Sequence, residues 1–276
     1  MKPVYKIFLI LLSMFSYSTL RAQVDSARLG KDSVMESFID PTADFFQHGE
    51  KAASPARVSL VTKAGKTLSL AAFLKSLGPN SDHVLADLDN DGKNELLVYD
   101  FTGGPHCCDR INIFRNIAPN KYRHVANLFA GNTTITPTRE FIYDFYEQFG
   151  YFFTCFTCAY PDTTDEGPVP TSNIVLKYNT GKMQGVPPEK ELRSIINDNL
   201  GKLGEQPYEK LDSASSFDNG LRKEFALNLA VYYYSYGRNM IEIQKLFNKY
   251  YKFPDAKKVW AAFVQNMLSL RKQNDF

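Results

Sequence analysis

The spacing of apolar residues in this chain changes at Val186, which excludes any fold built from one element type. Upstream, Arg57-Val-Ser-Leu-Val61, Val84-Leu-Ala86, Glu95-Leu-Leu-Val-Tyr99, Arg110-Ile-Asn-Ile-Phe114 and His124-Val-Ala-Asn-Leu-Phe129 are short β-prone runs separated by Gly, Asn, Asp and Pro clusters. Phe141–Tyr146 and Tyr151–Cys155 flank Glu-Gln-Phe-Gly150 and are expected to pair as a hairpin. Asn173–Tyr178 and Lys182–Gln184 flank Asn179-Thr-Gly181 and give a second hairpin. One short helix, Leu68–Leu77, interrupts the strands and stops before Gly78-Pro79. Downstream of Val186 the spacing is helical. Pro187-Pro-Glu-Lys-Glu-Leu192 opens a helix that Gly201 ends, and further helices run from Asp218, from Met240 to Tyr251 and from Asp255 to Arg271.

The expected fold is α+β: an antiparallel β-rich domain over residues 56–185, then a helical bundle over 186–276 packed on it or beside it. Residues 23–55 read as a partly ordered lead-in, and the Pro-rich Tyr160–Pro170 as a surface loop. Residues 1–22 carry a basic start, the apolar core Ile7–Leu12 and small Ala22 before Gln23, the pattern of a cleaved secretory signal. That core is too short for a bilayer, which takes about 20 apolar residues. The mature chain is therefore expected to have no membrane span and to work in the periplasm or outside the cell. Cleavage removes Lys2, Lys6 and Arg21 and no acid, so the formal charge moves from +2 to −1. A near-neutral chain offers no electrostatic case for nucleic acid.

The densest chemistry lies in Asp87-Leu-Asp89-Asn-Asp91-Gly-Lys-Asn-Glu95. Carboxylates at alternate positions face one concavity, Gly92 permits a sharp turn, the Lys93 carbonyl faces inward and Glu95 closes the loop. Calcium, a hard cation wanting 6–8 oxygens, suits that set. A solvated Asp/Asn/Gly turn is the competing reading, but four carboxylates this close repel one another without a cation. Val98 stands where a helix-loop-helix site needs a bidentate Glu, and the flanks are strand-like, so the EF-hand form is excluded. The loop resembles the calcium-binding hairpin loops of FG-GAP or VCBS repeats, known from integrin-type β-propeller blades. That resemblance covers Asp82 to Phe114. It implies ligands at Asp87, Asp89, Asp91, the Lys93 carbonyl and Glu95. A single such loop does not make a propeller, which needs at least about four blades.

Gly103-Gly-Pro-His-Cys-Cys108 follows one strand later and is similar to a GGxHCC segment of exported bacterial proteins, a similarity that brings no activity with it. Three readings compete. Cys107 and Cys108 bond separately to Cys155 and Cys158, stapling two hairpins. Alternatively Cys107–Cys108 and Cys155–Cys158 close on themselves, the latter as a redox couple. In the third, His106, Cys107 and Cys108 form a soft-metal site for zinc or copper. Export favours structural disulfides.

No GxSxG, HExxH, P-loop or dinucleotide fingerprint occurs, and His48, His83 and His124 are scattered. Tyr232-Tyr-Tyr-Ser-Tyr236, at helical spacing, reads as core before it reads as a stacking platform. Asn132-Thr-Thr134 matches a glycosylation acceptor but fits a turn equally. The sequence thus leads to an exported, non-enzymatic calcium-binding module that presents a surface to a protein or glycan partner. An exported hydrolase or thiol-redox protein using His106, Cys107 and Cys108 is the alternative.

Overall fold

The computed structural model describes residues 41–101, 109–129, 133–156, 158, 160, 169, 171–211 and 218–276. The expected signal, the lead-in up to residue 40, Gly103–Cys108, Asn132 and most of the Tyr160–Pro170 loop lie outside the described residues. After a short helix, α1 (Pro41–His48), the first sheet is built around the hairpin that the acidic loop closes. β3 (Asp82–Ala86) and β4 (Glu95–Phe101) pair antiparallel from Asp82↔Tyr99 to Ala86↔Glu95. β5 (Asp109–Ala118) and β6 (Lys121–Phe129) continue the antiparallel ladder. β1 (Ser59–Val61) then joins β6 in parallel, and β2 (Thr67–Ser69) completes the order β2-β1-β6-β5-β4-β3. One parallel pair thus enters a half expected to be antiparallel throughout.

β4 reads as an unbroken apolar run because both of its faces are covered, and Leu96, Leu97 and Val98 are fully buried. Leu96 and Val98 meet Leu60, Leu70 and Phe114 beneath α2 (Leu70–Leu77). Ser69 caps that helix, its Oγ accepting from the Ala72 N–H at 3.1 Å. Leu97 faces the opposite way, into the main core.

The second sheet has the order β10-β9-β8-β7, all antiparallel: β7 (Thr134–Ile135), β8 (Glu140–Asp144), β9 (Asn173–Asn179) and β10 (Lys182–Gly185). Burial alternates strictly along β9, with Ile174, Leu176 and Tyr178 inward. Thr180 and Gly181 turn into β10 with φ of 47° and 87°, the left-handed pair a two-residue hairpin requires. The other expected hairpin does not form. β8 pairs with β7 and β9, and residues after it curl into α3 (Tyr146–Phe149). Phe145, Phe149 and Phe152 recur at helical spacing and all enter the core, so pairing them as a strand would expose part of the set. The Asp144 carboxylate, accepting from the Tyr146 N–H at 2.8 Å, starts the curl.

Helices follow as expected in order, with shifted ends: α4 (Leu192–Gly204), α5 (Leu221–Ser235), α6 (Met240–Tyr250) and α7 (Ala256–Gln273). α4 begins at Leu192 and not at Pro187, since Val186 still bonds to Val175 at 2.8 Å. It also runs through Gly201, because Leu200 and Leu203 are fully buried. Gly204 lets α4 approach α6: a Cβ there would stand 2.5 Å from the Tyr250 carbonyl oxygen. α5 is buried on nearly all sides from Leu221 to Tyr234, with only Glu224 half-buried, and Tyr232, Tyr233 and Tyr234 are inside, so the tyrosine run is core. Inside it Asn228 bonds to Asn199 of α4 at 2.9 Å, and Asn199 also holds Val169 and Thr171. Residues of both sheets and of α4 to α7 share one core, and the described residues from Pro41 onward fall in one compact unit.

His124 on β6 lies against the Phe114 ring, 4.8 Å between centroids, with its Nε2 buried and without a hydrogen-bond partner among the described residues. Burial, with the Lys63 ammonium adding to it, pushes its pKa down from 6.5 to about 4. The unfolded chain then binds the proton first as pH falls. The stabilising contribution is complete above pH 6.5 and is lost as pH falls towards 4. We expect the stability of His124→Phe, relative to the parent, to improve by about 2–3 kcal/mol across that window. A difference between the two that stays constant with pH refutes the assignment.

Candidate metal site

The loop between β3 and β4 is held in shape by its own carboxylates. Asp87 accepts from the Asp91 and Gly92 N–H groups, each at 3.0 Å, and Asn90 and Gly92 take φ of 57° and 81°. This turn brings side-chain oxygens of Asp87, Asp89 and Glu95 within 4.8 Å of one another. Asp91 stands apart from that trio. It is exposed, and its Oδ1 accepts from the Lys93 N–H at 2.8 Å. Lys93 is exposed as well and can join an ion only through its carbonyl.

Glu95 is the inner wall, only 1% exposed. Its Oε2 accepts from the Leu88 N–H at 3.1 Å, and the Tyr178 hydroxyl stands 3.5 Å from Oε1. Burial pushes the Glu95 carboxyl up to about 7; the Leu88 N–H opposes this, and the charges of Asp89, Asp91 and Asp87 add to it. Burial, with the Glu95 charge beside it, also raises the Tyr178 phenol, which therefore stays a donor. Asp89 uses Oδ2 to accept from the Thr180 N–H at 2.9 Å, while its Oδ1 is buried and accepts nothing among the described residues. Arg139 donates from Nη1 to the Asp87 carbonyl and approaches Asn90 Oδ1 at 3.4 Å.

Arg139, Tyr178 and Thr180 were not signalled by the loop sequence, and all three come from the second sheet or its turns. Chemically, three converging carboxylate oxygens in a half-buried concavity suit a hard divalent cation. The trio itself does not distinguish calcium from magnesium or manganese.

The cysteines that can be placed are Cys155 and Cys158, joined to each other with Cα atoms 5.0 Å apart. The stapling of these two onto Cys107 and Cys108 is thereby corrected: the three-residue spacing, in an irregular turn with Cys158 N–H bonded to the Cys155 carbonyl at 3.2 Å, closes on itself. The buried Lys223 ammonium on α5 secures this turn through the Phe156 carbonyl at 3.1 Å and the Tyr146 hydroxyl at 2.9 Å. His106, Cys107 and Cys108 lie outside the described residues.

Fold and site together define a mixed α/β protein that carries a compact carboxylate trio on a β-hairpin. Among known proteins, no family model, no curated protein and no solved structure matches the chain. Among the described residues no helix is long and apolar enough to cross a membrane.

Proposed function

We propose that this chain is an exported calcium-binding protein in which the ion is structural and the task is binding a protein or glycan, not catalysis. The observation that carries the reading is the pairing of a buried Glu95 with a buried, unserved Asp89 Oδ1 beside Asp87. Charged oxygens removed from water need a counter-charge, and a cation in that concavity serves them together. The resemblance to FG-GAP hairpin loops supports calcium as the cation and a strand-flanked, stabilising site. The secretory pattern of residues 1–22 supports a periplasmic or extracellular setting, where calcium is plentiful.

The test is thermal unfolding of the mature protein in calcium, in magnesium and in chelator. An ion bound only by the folded state adds about 2.7 kcal/mol at a hundredfold excess over its Kd, so calcium should raise the Tm by several degrees. Unchanged melting in chelator sinks the proposal, and tight zinc or copper with little calcium replaces it with another.

The Cys155–Cys158 disulfide favours one second reading, a thiol-redox role. Failure of that bond to exchange with a small dithiol in the native protein removes it.

A further inference from the structure

We propose that the cleft where the β8–β9–β10 sheet meets the start of α4 and the end of α5 is a second binding site, for a small molecule with an apolar body and a cationic amine. The cleft has a volume of about 370 Å³, within the range of small-molecule sites. Most of its lining is apolar, with Ile174 and Val175 from β9, Val186 and Pro187 after β10, and Leu192 and Ile195 from α4, while Asn173 and Ser235 are polar members. Two carboxylates, Glu140 and Glu189, line it, and no Lys, Arg or His does. Neither has an ion-pair partner among the described residues. Lys177 stands opposite Glu140 in the β8–β9 register without pairing with it, and Glu140 Oε2 takes a hydrogen bond from the Thr138 hydroxyl at 3.3 Å.

Apolar lining favours a hydrocarbon body, and the two carboxylates attract a cation and repel an anion. A neutral ligand would gain only the first effect, and an acid would lose by the second. The cleft shares no residue with the acidic loop, so it stands whether or not calcium binds there. Arg139, which clamps that loop, is the chain neighbour of Glu140, so the two sites sit on either side of one turn.

The full mature chain should be titrated calorimetrically with phenylbutylamine, phenylbutanol and phenylbutyrate. We expect saturable binding of the amine, about tenfold weaker binding of the alcohol, and none of the acid. Glu189→Gln, at an exposed position, and Glu140→Gln should each narrow the preference for amine over alcohol. Val175→Trp, at a position 36% exposed, should fill the cleft and abolish amine binding while the Tm and its calcium response stay unchanged. Equal binding of amine and alcohol, amine affinity unaffected by Val175→Trp, or no saturable binding overturns the proposal.

Discussion

Replacing Glu95 by Gln is expected to abolish the calcium response while leaving the chelated protein at least as stable as the parent. The two halves have one cause. In the parent a carboxylate 1% exposed stands beside Asp87 and Asp89, and without a cation it is a desolvation cost. A glutamine can keep its one oxygen for the Leu88 N–H and turn its amide N–H towards the Tyr178 hydroxyl oxygen, and it removes the charge. In calcium the sign reverses: an affinity loss of a hundredfold removes about 2.7 kcal/mol of ligand-linked stabilisation. A substitution that merely loosened the hairpin would lower the Tm in both conditions, which separates the two accounts. Asp91→Asn is the contrasting variant, since that carboxylate is exposed and turned to the Lys93 N–H, and a smaller loss of calcium response is expected. Retention of the full calcium shift by Glu95→Gln would sink the site as described.

The loop was legible because its oxygens lie within nine residues, Asp87 to Glu95, although spacing also put Asp91 in the concavity, where the structure instead turns it to the Lys93 N–H. Its supports were not. Arg139, Tyr178 and Thr180 reach the loop from 52, 83 and 91 residues away, and no local pattern encodes a contact between separate sheets. The strands bounded by two-residue turns were found, whereas β2 and β7, three and two residues long, carry too few positions for a period to show. The failed hairpin at Phe141–Cys155 has a related cause. Consecutive aromatics satisfy both a two-residue and a four-residue period, and tertiary burial of Phe145, Phe149 and Phe152 decides between them. α5 misled in the opposite direction. Leu221, Phe225, Leu229 and Tyr232 trace one face, yet Ala226, Leu227, Ala230 and Val231 fill the others, and the helix is central, not peripheral.

Arg222→Met is expected to cost about 3–5 kcal/mol, the penalty for stranding a buried charge. Arg222 is 1% exposed at the start of α5. Its Nη1 donates to Asp218 Oδ2 at 2.6 Å, its Nε to Asp255 Oδ2 at 2.8 Å and its Nη2 to the Glu209 carbonyl at 2.8 Å. Tyr251 holds the other oxygen of Asp255 at 2.9 Å, and the rings of Tyr208 and Phe153 cover the guanidinium. One planar fork thus ties the start of α5 to α7 and to the segment after α4. Lysine carries its donors on one nitrogen and cannot span the acceptors that Nε, Nη1 and Nη2 reach separately, so Arg222→Lys should recover little. Asp218 also accepts from the Gly220 N–H through Oδ1 and from the Arg222 N–H through Oδ2, and an asparagine can keep the shorter, Gly220 bond through its one carbonyl oxygen. In the double variant Arg222→Met with Asp218→Asn the fully buried charge is gone and only the partly exposed Asp255 is left, so the combined cost should fall short of the sum by about 1–3 kcal/mol. Denaturant midpoints at constant m read both effects. Additive costs, or a loss below about 1 kcal/mol for Arg222→Met, would show that the fork is not holding these helices together. Because Arg222 touches none of the loop's supports, its variants should keep the calcium-induced rise in Tm, so stability of the helical half and ion binding can be measured apart.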